Sequence, residues 1–98
     1  MKTGSAKGPS VVERQTTIKN RLGLHARPAS MVAKKASTFK SEVRLRKDDL
    51  EINAKSIMGV MILAAECGSL LIIKAWGEDE ARAVQEIADL FESKFGEE

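Results

Sequence analysis

From Val12 onward the apolar residues of this chain switch repeatedly between a period of two and a period near 3.6, and that alternation limits its fold more than any other feature. Val12, Thr16 and Ile18 lie at even spacing among polar residues, as in a strand with one solvated face. Asn20 to Gly23 then turns the chain. Ala29, Val32, Ala33 and Ala36 recur at helical spacing and give a narrow stripe of small residues that lets a backbone approach a sheet closely. Val43 and Leu45 alternate with Glu42, Arg44 and Arg46, and Leu50 and Ile52 alternate with Glu51 and Asn53. These are two strands of a hairpin turning at 47–49, without the glycine often found there. Ser56 precedes Ile57, Val60, Met61 and Ala64 at helical spacing, with Gly68 expected to close that helix. Leu70 to Trp76 is β-rich, and Val84, Ile87, Ala88, Phe91 and Phe95 share one face of a last helix opened by Glu78, Asp79 and Glu80. The order strand, helix, strand, strand, helix, strand, helix predicts an α+β domain with helices on one face of a largely antiparallel sheet. If Leu71, Ile73 and Ala75 face the helices, Ile72, Lys74 and Trp76 face outward, leaving an apolar patch on the open sheet. Either Val11 or the N-terminal tail covers that patch, or it supports weak self-association.

Ninety-eight residues suit one domain burying roughly 60–65% of its unfolded surface. Residues 1–11 mix Gly, Ser, Lys and Pro without periodicity and read as a flexible tail, leaving 12–98 as the domain. With 43% hydrophobic and 31% charged residues the chain reads as globular, and a net charge of +2 is too small to point to nucleic acid. Lys34, Lys35, Arg44, Arg46 and Lys47 do not form a base-reading surface either, because stacking aromatics are absent and Asp48, Asp49 and Glu51 interrupt the basic run. Cys67 is the only cysteine, which excludes an intrachain disulfide and a cysteine-based metal site. No apolar core follows the basic N-terminus, and Ile57 to Ala65 is far short of the roughly 20 residues that cross a bilayer. A cytoplasmic monomer without cofactor or metal is expected.

The chemistry concentrates in Gly23-Leu24-His25-Ala26-Arg27-Pro28-Ala29. Pro28 suits the first turn of a helix, so the helix begins beside His25, the only histidine. Free N–H groups and the positive end of the helix dipole favour an anion there, and Arg27 adds a guanidinium fork suited to phosphate oxygens. A neutral imidazole is a competent nucleophile, although a lone histidine before a helix is ordinarily a surface or capping residue. No second histidine is present to organise a hydrolytic triad.

This motif resembles the active-site segment of the HPr family, the histidine-containing phosphocarriers of the bacterial sugar phosphotransferase system. A second motif, Asn53-Ala54-Lys55-Ser56-Ile57-Met58-Gly59-Val60-Met61, resembles the regulatory-serine segment of that family in the right order and separation. The resemblance covers about residues 12–95 and implies an open-faced β-sandwich of four antiparallel strands and three helices. It implies that His25 accepts a phosphoryl group on Nδ1 from phosphorylated Enzyme I, the group originating in phosphoenolpyruvate. His25 then passes it to IIA domains of sugar permeases, as a carrier without turnover of its own, and Arg27 offsets charge on the transferring group. It further implies phosphorylation of Ser56 by an HPr kinase/phosphorylase, with a transcriptional regulator among the partners, where the residues alone say only N-cap. Ile57, Met58 and Met61 could be core, but a short helix cannot bury them all, and the resemblance assigns them to partner docking. It assigns Lys34, and Ser30 one turn along the same helix, to the same docking face, where the residues alone read as solvated helix.

Overall fold

The computed structural model describes residues 10–97. Its elements are β1 (Val12–Thr17), α1 (Ala26–Ser37), β2 (Glu42–Lys47), β3 (Leu50–Asn53), α2 (Ile57–Ile62), β4 (Leu70–Trp76) and α3 (Glu80–Glu92), followed by a 3-10 turn over Lys94–Gly96. The sheet order is β1-β4-β2-β3 with every neighbouring pair antiparallel. Three helices on this open sheet are the α+β domain that the periodicity predicts and the open-faced sandwich that the resemblance implies.

The central position of β4 follows from its composition. Leu71, Ile73 and Ala75 are fully buried on the helix-covered face, while Ile72, Lys74 and Trp76 are half-buried on the other. Val43 and Leu45 of β2 continue the covered face beside Ala75 and Ile73. Against it lie Ala29, Val32 and Ala36 of α1 and Ala83, Val84, Ile87 and Phe91 of α3. At the sheet edge Arg14 pairs in register with Ile73, so its stem lies on the covered side and its guanidinium reaches Gln85 of α3 at 3.0 Å.

The outward face of the sheet differs from the expected apolar patch. Arg44 lies over the Trp76 ring, 5.8 Å from its centroid, and pairs with Glu42 at 3.1 Å, while Lys74 pairs with Glu51 at 3.0 Å. The cover is thus a lattice of charged stems on the strands themselves, with Val11 exposed. The tail over residues 1–9 lies outside the described residues. None of the described helices is long and apolar enough to cross a membrane.

Two local expectations are corrected. The second helix ends at Ile62, and its exit is made by Ala64 at φ +49; Gly68 instead sits in the turn before β4, where its N–H donates to the Ile18 carbonyl at 2.8 Å. Phe95 is not on α3: the chain kinks after Glu92 and Phe95 adopts φ +56, yet it remains buried by packing edge-on to Phe91, ring centroids 5.1 Å apart. Asp79 stands at the head of α3 but makes no cap bond to it. Its carboxylate accepts from the Ser41 hydroxyl at 2.6 Å and from the backbone N–H groups of Ser41 and Lys40 at 2.9 and 3.0 Å, stitching α3 to the start of β2. The hairpin turn solves its missing glycine by placing Asp48 at φ +54, a conformation aspartate tolerates better than most residues.

Candidate functional site

The loop before α1 is fixed on both sides. Asn20 is fully buried, and its side-chain amide donates to the Gly23 carbonyl at 2.8 Å. Gly23 adopts φ +71, and a Cβ there would lie 2.5 Å from the Ala65 carbonyl oxygen, so only glycine fits. Leu24 is buried and its N–H donates to that same carbonyl at 2.9 Å. The residue before His25 is therefore pinned to the chain leaving α2, and His25 emerges from rigid backbone.

His25 occupies the N-cap position of α1 in extended conformation, and its side chain makes no capping bond. The first intrahelical donor is Ala29, whose N–H reaches the His25 carbonyl at 3.0 Å. Ala26 and Arg27 have no intrahelical acceptor for their N–H groups and Pro28 has no N–H to satisfy. The expected anion-favouring helix start is thus present beside the imidazole.

Glu97, which nothing in the sequence marks, completes the cluster. Phe95, anchored on Phe91, brings the segment after α3 against the start of α1, where Arg27 donates from one guanidinium nitrogen to the Phe95 carbonyl at 2.9 Å and to Glu97 Oε2 at 2.8 Å. The Asn20 amide donates to Glu97 Oε1 at 3.0 Å, and His25 Nε2 lies 3.2 and 3.1 Å from Oε1 and Oε2. Burial alone would raise the Glu97 pKa, but the hydrogen bonds from His25, Asn20 and Arg27 outweigh it and hold the carboxyl below its ordinary value. No periodic pattern marks Glu97; its place depends on the kink at Phe95. His25 Nδ1 has no hydrogen-bond partner among the described residues, and the Arg27 side chain is 56% exposed, which leaves its other donors open to an incoming group. Imidazole, guanidinium and an amide converge here on one carboxylate beside the free N–H groups of the helix start, an arrangement suited to holding an anion against a nucleophilic nitrogen.

The remaining predicted residues lie on α1 and α2, which pack against each other. Ser56 caps α2: its hydroxyl accepts from the Gly59 N–H at 3.0 Å. Val60 is the one residue of α2 that is buried, and Ile57, Met58 and Met61 are all exposed, Met58 by 71%. Ile62 and Leu22 are exposed as well, two large apolar residues the sequence reading did not single out. Ser30 is half-buried, and Lys34 is exposed with no ion pair among the described residues, whereas Lys35 pairs with Glu86 at 3.4 Å. Ser30, Lys34 and the α2 side chains make no contact with the His25–Glu97 cluster through a hydrogen bond.

Residues 12–93 match the family described as the PTS HPr component phosphorylation site. The chain belongs to the HPr family of phosphocarrier proteins. It is 47% identical over 88 residues to the phosphocarrier protein HPr of Treponema pallidum, covering 90% of this chain and 100% of that one. The crystal structure of HPr from Thermoanaerobacter tengcongensis superposes with a TM-score of 0.85 at 47% identity, covering 89% of this chain and 98% of that chain. The HPr-like protein Crh of Bacillus subtilis is 41% identical over 78 residues, 80% of this chain and 92% of that one. HPr proteins are carriers in the phosphotransferase system, not catalysts, and the open antiparallel sheet with three helices is their fold.

Proposed function

We propose that His25 is the phosphoryl-accepting residue of this HPr protein and that it takes the group on Nδ1 from phosphorylated Enzyme I and delivers it to IIA permease domains. The observation that carries this reading is the engagement of Nε2 by Glu97 while Nδ1, beside the N-terminus of α1, has no partner among the described residues. A carboxylate accepts a proton; it therefore holds the ring as the Nε2–H tautomer, with the lone pair on Nδ1. In the transfer the donor's P–N bond breaks as the Nδ1–P bond forms, and the Nε2 proton stays in place. The ring becomes cationic, with Glu97 as its counter-ion, while Arg27 and the free N–H groups meet the phosphoryl oxygens. Incubation with phosphoenolpyruvate and Enzyme I should give an acid-labile label on the native chain and none on His25→Ala; undiminished labelling of the variant would refute the assignment.

Ile57, Met58, Met61, Ser30 and Lys34 form the docking face in this reading. Ser56 supports a second, compatible role. Its hydroxyl already accepts a bond at the helix start, so a phosphate there would keep the cap and add negative charge beside the exposed α2 side chains. An HPr kinase/phosphorylase and a transcriptional regulator would be its partners, and ATP with that kinase should then leave an acid-stable label on Ser56. The domain over 12–98 acts as a cytoplasmic monomer in this scheme.

A further inference from the structure

We propose that Asn20 is a positioning residue for phosphoryl acceptance at His25, its amide clamping the Glu97 carboxylate onto Nε2 while holding the Gly23 carbonyl of the His25 loop. The proposal rests on the carrier reading above. Asn20 is fully buried, and both of its protons are used: one on Gly23 O at 2.8 Å and one on Glu97 Oε1 at 3.0 Å. Its orientation is forced, because a flipped amide would face its oxygen toward two acceptors. In the forced orientation Oδ1 is buried with no donor among the described residues. A buried amide at this position supplies two donors to two acceptors of the site, one on the loop and one on the carboxylate.

The consequence lies in what Glu97 can do without it. The carboxylate is held by Asn20 on Oε1 and by Arg27 on Oε2, with Nε2 between the two oxygens. Loss of the Oε1 bond leaves a hinge about Arg27, which is itself more than half exposed, and the carboxylate swings toward water. His25 then loses the acceptor that keeps its proton on Nε2. The Nδ1–H tautomer, which cannot attack, gains population, and the ring cation formed on transfer loses its counter-ion. Asn20 touches neither the phosphoryl group nor the ring, so its effect passes through Glu97.

Nitrogen-15 spectra of the neutral imidazole, recorded on the native chain without any partner, test the first step. The Nε2–H tautomer should dominate; a dominant Nδ1–H tautomer would overturn the proposal without any substitution. Asn20→Asp keeps the volume but opposes Glu97, and Asn20→Ala removes the donors. Both should mix the tautomers and slow phosphoryl acceptance roughly tenfold, the worth of one charge-assisted hydrogen bond. Glu97→Gln, on a terminal segment whose change leaves the core intact, should have a similar effect, and combining it with Asn20→Ala should add little. An unaltered imidazole spectrum and rate in a folded Asn20 variant, or fully additive losses, would sink the clamp. A native chain that takes no phosphate from Enzyme I would instead sink the carrier reading, and the tautomer result would stand apart from it.

Discussion

At the scale of single residues, Arg27 holds one anion and, in the proposed transfer, meets a second. One of its nitrogens holds Glu97 and the Phe95 carbonyl, at 2.8 and 2.9 Å, while the rest of the fork faces solvent where a phosphoryl group on His25 would arrive. Arg27→Ala should therefore lower the maximal rate of phosphoryl acceptance by about 10- to 100-fold, the equivalent of a charged hydrogen bond of roughly 1.5–3 kcal/mol. Arg27→Lys should recover only part of it, because an ammonium lacks the planar fork that spans two oxygens. Initial rates with saturating phosphorylated Enzyme I measure both, and full activity in the lysine variant would mean that a point charge suffices.

At the scale of elements, two polar residues hold helix starts in opposite ways. Ser56 caps its own helix, so Ser56→Ala should cost about 1 kcal/mol in urea unfolding, while Ser56→Asp, which keeps an acceptor for the Gly59 N–H, should stay within about 0.5 kcal/mol of the native chain. Asp79 ties α3 to the neighbouring strand instead. The Ser41 hydroxyl, then the Lys40 and Ser41 N–H groups, hold its carboxyl down to about 2 from an ordinary value near 3.8. A depressed carboxyl stabilises the fold above its unfolded value, and that contribution disappears as pH falls through the folded one. Asp79→Asn should thus be less stable than the native chain at pH 7, with the difference shrinking between about pH 4 and pH 2 in denaturant titrations; a difference constant with pH would assign it to packing. These elements also mark what the sequence makes legible. Alternation at Leu71–Ala75 and the helical stripe at Ala29–Ala36 predict burial correctly, because side-chain period is a local property of the backbone. The exit of α2 at Ala64, the kink at Phe95 and the bond from Asp79 to Ser41 were not legible, since each is set by a partner distant in sequence. Glu97 escaped for the same reason, while His25, next to Pro28 and Arg27, announced its helix start by neighbours alone.

At the scale of the whole molecule, the fold separates the His25–Glu97 cluster, the proposed seat of the phosphate, from the exposed apolar side chains proposed for docking. The anion cluster is built from the loop before α1 and the segment after α3, and its members are bound to one another. The exposed apolar side chains belong to α2, a six-residue helix that buries only Val60 and leaves Ile57, Met58, Met61 and Ile62 open. A carrier that meets a donor and several acceptors, as proposed, needs such a surface, and unbranched methionines adapt to unlike partners. Met58, at 71% exposure, contributes little to the core, so Met58→Glu should leave stability within about 0.5 kcal/mol of native. Its effect should fall on encounter: KM for phosphorylated Enzyme I rises several-fold while the rate at saturation is kept, the reverse of the pattern for Arg27. Steady-state transfer measured over a range of chain concentrations separates the two parameters. A fall in the saturated rate with KM unchanged would place Met58 in the transfer step, and an unchanged KM and rate would remove α2 from the docking face.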